Sequence, residues 1–329
     1  MQSSLTKCRS ALLNALNAPS AKNTPKKKLI FIVGPTASGK TQLALQIANL
    51  LPVEAIVCDS MQVYKGMPIL SQAPSAQDIE KLPHHLNQIK DLSEEFNVSV
   101  LIEECENIIQ DIHERNKVPL IIGGTGLYYT SLMDGLCDAP AENPEFRQEL
   151  SEKARLEGKE VLHEELMQKD PEIAGSLHVN DTKRIIRALE VIHFTGKKFS
   201  EIRPNREGLA NHYDVCVYGL NWPRETLYQR INDRVDEMIA CGAIQEAEAM
   251  MKKKLSKTAS QCLGFREFKS YLEGKCSLEE ASDELKMNTR RFAKRQGTWF
   301  RRDERIEWMD MQNTSFEKAA QMLLARLQV

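Results

Sequence analysis

The octapeptide Gly34-Pro35-Thr36-Ala37-Ser38-Gly39-Lys40-Thr41 matches G-x-x-x-x-G-K-[ST] and constrains the fold more than any other part of the chain. Its glycines let backbone N–H groups turn inward around phosphate oxygens, Lys40 adds a point charge, and Thr41 offers a hydroxyl to Mg²⁺. The positive end of a following helix completes such a cradle. The flanks agree with this reading. Leu29-Ile30-Phe31-Ile32-Val33 is an apolar, β-branched run that predicts a strand buried on both faces. From Lys40 to Leu51, Leu43, Ile47, Leu50 and Leu51 fall at helical spacing. A buried strand before the loop and an amphipathic helix after it argue against a chance match.

Further units of the same kind follow. Ala55-Ile56-Val57-Cys58 predicts a second short buried strand with Asp59-Ser60 at its carboxyl end. A helix is expected from about Ser99 to Glu114, then a third strand, Val118 to Ile122, ending in Gly123-Gly124-Thr125-Gly126. Strand, helix, strand, helix, strand signals a parallel sheet with helices on both faces, whose ligands sit at the carboxyl ends of the strands. The charge-rich stretch 141–206, punctuated by prolines, reads as a helical insertion domain. Val215 to Leu220 returns to the sheet, and residues 224–329 read as mostly helical. The expected architecture is α/β: a P-loop parallel sheet flanked by helices, built from 29–140 and 207–329, with a helical insert.

Composition adds exclusions. The eight cysteines lie too far apart for any Cys-x-x-Cys zinc or redox pattern, and their scatter fits a reducing compartment. No apolar run approaches the roughly 20 residues of a membrane helix, so a cytoplasmic protein is expected. Residues 1–28 contain no Asp or Glu. They read as a disordered extension, with an organellar transit segment as the other reading. The net charge of −2 conceals eight basic residues between Lys286 and Arg305, set against Asp303 and Glu304. Local charge therefore says more than net charge about a polyanionic partner.

Several side chains could carry chemistry. Asp59, at a strand end near the phosphate loop, could hold Mg²⁺, act as a general base, or cap a turn with Ser60. The Gly123–Gly126 turn permits close backbone approach to a ligand, and a plain β-to-α turn explains it as well. Arg290 to Arg302 interleaves cations with Phe292, Trp299 and Phe300. The cations suit nucleic-acid phosphates, while Phe292, Gln296 and Trp299 recur at core spacing on a helix. His84-His85 has no third ligand at metal spacing.

Taken together and in order, these segments resemble the tRNA dimethylallyltransferase (tRNA isopentenyltransferase) family. The resemblance rests on Gly34–Thr41, Asp59-Ser60-Met61-Gln62-Val63-Tyr64-Lys65-Gly66-Met67, Pro83-His84-His85-Leu86, Gly123-Gly124-Thr125-Gly126-Leu127-Tyr128, Asn180–Glu190, Leu263-Gly264-Phe265-Arg266 and Ala293–Arg301. It implies prenyl transfer from dimethylallyl diphosphate to N6 of an adenosine next to the anticodon. The loop Gly34, Pro35, Thr36, Ala37, Ser38, Gly39, Lys40, Thr41 would then hold diphosphate rather than ATP, with Mg²⁺ on Thr41. By the same resemblance Asp59 becomes the base, and Lys40 with Arg230 or Arg234 stabilises the leaving diphosphate. The residues it turns toward tRNA are Asp59, Ser60, Met61, Gln62, Thr125, Arg147, Lys183, Arg184, Arg187, Gly264, Arg266, Lys294, Arg295, Gln296 and Arg301. A monomer working on the anticodon stem-loop is expected.

The chain departs from the family pattern in places. After Met67 the usual Asp-Ile-Gly-Thr-Ala-Lys-Pro is Pro68-Ile69-Leu70-Ser71-Gln72-Ala73-Pro74, which removes a Lys. Phe265 replaces the commoner Tyr, and the cysteine spacing excludes the zinc finger that eukaryotic members often add. Competing readings are prenylation of free adenine nucleotides, a small-molecule P-loop kinase, and an RNA-binding protein that keeps the loop for stability.

Overall fold

The computed structural model describes residues 26–136, 139–202 and 207–327. The N-terminal extension read from the sequence therefore lies outside the described residues up to residue 25, and Lys28 already belongs to the first strand. The described chain forms two compact units. One comprises the chain up to Ser131 and from His212 onward; the other is Leu132–Asn211, wider than the 141–206 segment marked by composition.

The first unit is built on a six-stranded sheet, β1 (Lys28–Val33), β2 (Val53–Cys58), β3 (His84–His85), β4 (Val118–Gly123), β5 (Asp214–Asn221) and β6 (Ile306–Asp310). All pairings are parallel, in the order β3-β2-β4-β1-β5-β6. β1 is central, and β4 lies between it and β2. The loops after β1, β4 and β2 consequently emerge side by side at the carboxyl edge. The principal helices are α1 (Lys40–Leu50), α2 (Val98–Glu114), α3 (Gly126–Asp134), α4 (Arg224–Ala240), α5 (Leu278–Phe300) and α6 (Phe316–Leu327).

The two-residue period of a strand explains the layers. Ile30 and Ile32 point to one face, where Leu43 and Ile47 of α1 and Ala319 and Leu323 of α6 close a core with no measurable exposure. Phe31 points to the other face and packs edge-on against Tyr129 of α3, which meets Phe300 of α5 in turn. Each such fully buried side chain stabilises the fold by about 1.5–3 kcal/mol. The tail is mostly helical, as the sequence suggested, and β6 adds an edge strand beside β5 that the sequence did not mark. Its pattern, with Ile306 and Met309 buried and Glu307, Trp308 and Asp310 exposed, lacks the continuous apolar run of the inner strands.

The second unit is helical. Pro144–Glu157, Lys159–Lys169, Pro171–Ser176 and Thr182–Thr195 surround Leu162, Leu166, Ile185 and Leu189. Among the described residues no helix is long and apolar enough to cross a membrane.

One buried charge lies in β2. Glu54 is 3% exposed. It bonds His85 at 2.7 Å, Lys117 at 2.7 Å and Arg115. Burial alone would raise its carboxyl, but Arg115, Lys117 and His85 outweigh burial and hold it at about 2, below the ordinary 4.5. A lowered carboxyl supplies stability that is present above pH 4.5 and lost as the pH falls toward 2, at most about 3 kcal/mol here. Urea unfolding of the wild type and Glu54→Gln should therefore differ most at pH 7, with the gap shrinking below pH 4.5 and closing only toward pH 2. A gap that ignored pH would show that shape, not charge, makes Glu54 matter.

Candidate active site

The phosphate loop is shaped by backbone and held from outside. Gly39, at φ 93°, is the residue before α1. A Cβ there would meet the Phe316 ring at 2.3 Å, so this turn requires glycine twice over. Ala37 also takes a left-handed φ of 62° without being glycine, a strained choice that the surroundings enforce. Its carbonyl accepts a bond from Arg230 Nε at 2.8 Å, and Ser38 O accepts one from Trp222 Nε1 at 2.9 Å. The Arg230 guanidinium lies 4.6 Å over the Trp222 ring. Thr36 N donates to Gln296 Oε1 at 2.8 Å. Trp222 and Phe316 gave no readable signal in the sequence. One is a lone aromatic after β5, the other sits at the start of a distant helix.

Lys40 folds back across the loop, donating to Gly34 O at 3.1 Å and Pro35 O at 2.9 Å. Burial lowers its ammonium to about 8; Asp59 opposes the shift and Arg234 adds to it. Arg234 is lowered by burial and then by the neighbouring Arg230. Among the described residues it makes no hydrogen bond. Glu237 in the same wall opposes that shift, and a desolvated cation with no hydrogen bond at a cleft wall suits an anionic ligand. Ser38 Oγ is likewise buried with no partner among the described residues.

One cleft of about 880 Å³ has Thr36, Lys40, Thr41, Asp59, Ser60, Met61, Gln62, Thr125, Arg230, Arg234, Arg266, Arg295 and Gln296 in its wall. Asp59 Oδ1 accepts from Met61 N at 2.8 Å and Gln62 N at 3.4 Å, which caps the turn and fixes the carboxylate plane. Ser60 N donates weakly to Thr125 Oγ1 at 3.4 Å. Gly264 is buried, and Arg266 beside it is exposed at the rim. Lys294 and Arg301 are exposed on and just after α5 and do not line the cleft.

Other expected residues are occupied elsewhere. In the second unit Arg147 bonds the fully buried Glu190 at 2.9 and 2.7 Å, and Arg187 bonds the same carboxylate at 2.5 Å. Lys183 and Arg184 of that unit are exposed, Arg184 with Asp181 at 3.5 Å. Gln296 is 6% exposed, and both ends of its amide are bonded within the chain. Trp299 sits over Gly126 and bonds Thr130 Oγ1 at 3.0 Å. Phe292 is not core, as its spacing suggested; it is half-buried on the cleft wall, with Arg295 5.8 Å from its ring centre. The departure after Met67 is a short helix, Pro68–Ser71, whose Ile69 and Leu70 N–H groups donate to Glu246 at 3.0 and 2.6 Å. Gln72 and Ala73 stand in the wall where the family pattern would bring a lysine. His84 bonds Leu82 O and His85 bonds Glu54, and among the described residues no cluster of His, Cys, Asp or Glu could hold a metal unaided.

Residues 62–303 match the family model described as IPP transferase. The chain is 42% identical over 287 residues to a tRNA dimethylallyltransferase of Geobacter sulfurreducens, covering 87% of this chain and 92% of that one. It is 40% identical over 292 residues to that of Bacillus subtilis, covering 88% and 92%. Among solved structures it resembles a tRNA isopentenylpyrophosphate transferase from Bacillus halodurans, with a TM-score of 0.68, 39% identity and coverage of 92% and 96%. A eukaryotic dimethylallyltransferase described as acting on tRNA aligns with a TM-score of 0.77, 33% identity and coverage of 91% and 78%.

The position of Lys40 yields a pH test. Its charge attracts an anion only while protonated, and in the free protein it loses that proton near pH 8. Calorimetric affinity for inorganic diphosphate should therefore fall as pH rises through about 8, and Lys40→Ala should lack that step. An identical pH profile in the variant would detach Lys40 from anion binding.

Proposed function

The chain belongs to the IPP transferase family, and from that footing we propose that it transfers the dimethylallyl group of dimethylallyl diphosphate to N6 of an adenosine next to the anticodon of tRNA, releasing diphosphate. The observation that carries this reading is the pairing of the phosphate loop and Arg234 with Asp59 in the wall of a single cleft. The cleft, at about 880 Å³, is of the size that holds small ligands, about 300–1,000 Å³. It leaves room for a donor and for a base extruded from its loop.

The chemistry follows from the groups present. The adenine amine is a poor nucleophile because its lone pair is delocalised into the ring. Asp59 accepts its proton as the nitrogen–carbon bond forms, with Oδ1 held by Met61 and Gln62 and Oδ2 facing no partner among the described residues. The carbon–oxygen bond to diphosphate breaks, and the electron pair leaves with the diphosphate. Lys40, Arg230 and Arg234 stabilise the charge that develops there. Mg²⁺ is proposed as the cofactor, with Thr41 as its protein ligand. A single hydroxyl suits an ion that binds mainly through substrate phosphates and water, and such an ion would neutralise charge on the leaving group. The exposed Arg266, Lys294, Arg295 and Arg301 meet tRNA phosphates in this reading, as does Lys183 of the helical unit. Arg147 and Arg187 act at one remove, through the helix that their bonds to Glu190 fix. The protein works as a cytoplasmic monomer.

Incubation with unmodified tRNA and dimethylallyl diphosphate, followed by nucleoside mass analysis, should yield prenylated adenosine, while adenosine monophosphate should yield none. Asp59→Asn keeps the shape and cannot take the proton. It should bind both substrates yet slow single turnover by about 10²–10⁴-fold. Single turnover near the wild-type rate would remove Asp59 from the chemistry. Lys294→Ala with Arg301→Ala should raise the Michaelis constant for tRNA and reduce its log–log salt slope by about 0.7–0.9 per lost contact. The constant for dimethylallyl diphosphate should barely move, and unchanged tRNA kinetics would end the nucleic-acid role of this helix end.

A further inference from the structure

Gln296 lies in the middle of the basic stretch, where the sequence resemblance turns it toward tRNA. Its surroundings point inward instead. Oε1 accepts from Thr36 N of the phosphate loop at 2.8 Å, and Nε2 donates to Gly124 O at 2.8 Å. The partners fix the amide's orientation, since an N–H can face only the oxygen and a carbonyl only the nitrogen. A Cβ on Gly124 would stand 2.5 Å from Nε2, so glycine at that position is what admits the side chain. The next residue, Thr125, approaches Ser60 N at 3.4 Å, and Ser60 follows Asp59. One amide thus ties the loop after β1 to the loop after β4, which touches the turn carrying Asp59.

We propose that Gln296 is a positioning residue that locks the phosphate loop at a fixed distance from the acceptor side of the cleft, and that it makes no contact with tRNA. Thr36 N–H is turned away from the anion so that the rest of the loop can face it. Severing the amide leaves a part-buried donor and a buried acceptor unpaired, and the loop then relaxes toward other partners. The proposal rests on prenyl transfer as the reaction.

The test uses the full-length protein with dimethylallyl diphosphate and unmodified tRNA. Gln296→Met keeps the volume and removes both bonds. It should lower kcat/KM for the donor at least tenfold, partly through kcat, while tRNA affinity measured without donor stays within twofold. Gly124→Ala displaces the amide by another route and should act in the same direction. Gln296→Glu separates bonding from shape. Its ionised carboxylate accepts from Thr36 but repels Gly124 O, whereas the protonated acid makes both bonds. Burial raises such a carboxyl, so the ratio of variant to wild-type donor kcat/KM should climb at least threefold from pH 8.5 to pH 6. Should Gln296→Met not fold, the other two variants decide. A tenfold loss of tRNA affinity with an unchanged donor constant would overturn the proposal, as would a flat Gln296→Glu ratio or unchanged kinetics in every variant. If the wild type makes no prenylated adenosine while Gln296→Met still weakens inorganic diphosphate binding, the reaction is wrong and the clamp stands.

Discussion

A loop that offers its backbone N–H groups to an anion cannot use those groups to hold itself up. That constraint governs the cleft. Beyond the bonds of Ser38 N and Lys40 to the loop's own carbonyls, its shape comes from side chains elsewhere, and they arrive from remote parts of the chain. Trp222 bonds Ser38 O across 184 residues, Arg230 bonds Ala37 O across 193, and Gln296 bonds Thr36 N across 260. Phe316 fills the space that a side chain on Gly39 would need. The carboxyl-terminal helices are therefore more than cover for the sheet. α4, α5 and α6 each contribute one brace, so the loop's folded shape rests on residues far from it in sequence.

Much of the fold was legible because its inner strands obey a simple rule. A strand covered on both faces must be apolar throughout, and Leu29–Val33, Ala55–Cys58 and Val118–Ile122 each stood out by that rule. β6 was not legible, because an edge strand needs only a partial apolar pattern and Glu307, Trp308 and Asp310 mask it. Within the cleft, the loop and Asp59 could be read because the chemistry sits in local motifs at strand ends. The braces could not, since an isolated Trp222 or Phe316 has no local pattern that marks its contact. Charge misleads in the opposite way. Arg147 and Arg187 look like free cations in sequence, and only the structure reveals the buried carboxylate of Glu190 between them.

The wall after Met67 shows how a departure from the family pattern can be absorbed. Without a lysine there, the stretch turns into a short helix led by Pro68, and Glu246 satisfies two N–H groups at its start. Gln72 then takes a left-handed φ of 56° and accepts from Gln62 Nε2 through its carbonyl at 3.1 Å. The segment is held by hydrogen bonds to the Gln62 side and to the helix carrying Glu246, so it does not need the missing charge to stay in place.

What the cleft does need is cation density, and that density is already desolvated in the free protein. Burial lowers Lys40, Arg230 and Arg234 alike. In this state Lys40 rests on the carbonyls of Gly34 and Pro35, and Arg234 has no hydrogen-bond partner among the described residues. Such an arrangement destabilises the empty protein. In the proposed reaction it would also lessen the reorganisation around the developing charge, because part of the cations' hydration is already replaced by protein. A diphosphate in the loop would, in that reaction, give Arg234 the hydrogen-bond partner it lacks and would draw Lys40 and Arg230 from the carbonyls they now bond. In that reading the cations' attraction would strengthen as negative charge moves onto the leaving oxygen, so the same burial that weakens the empty site would favour the transition state over the ground state.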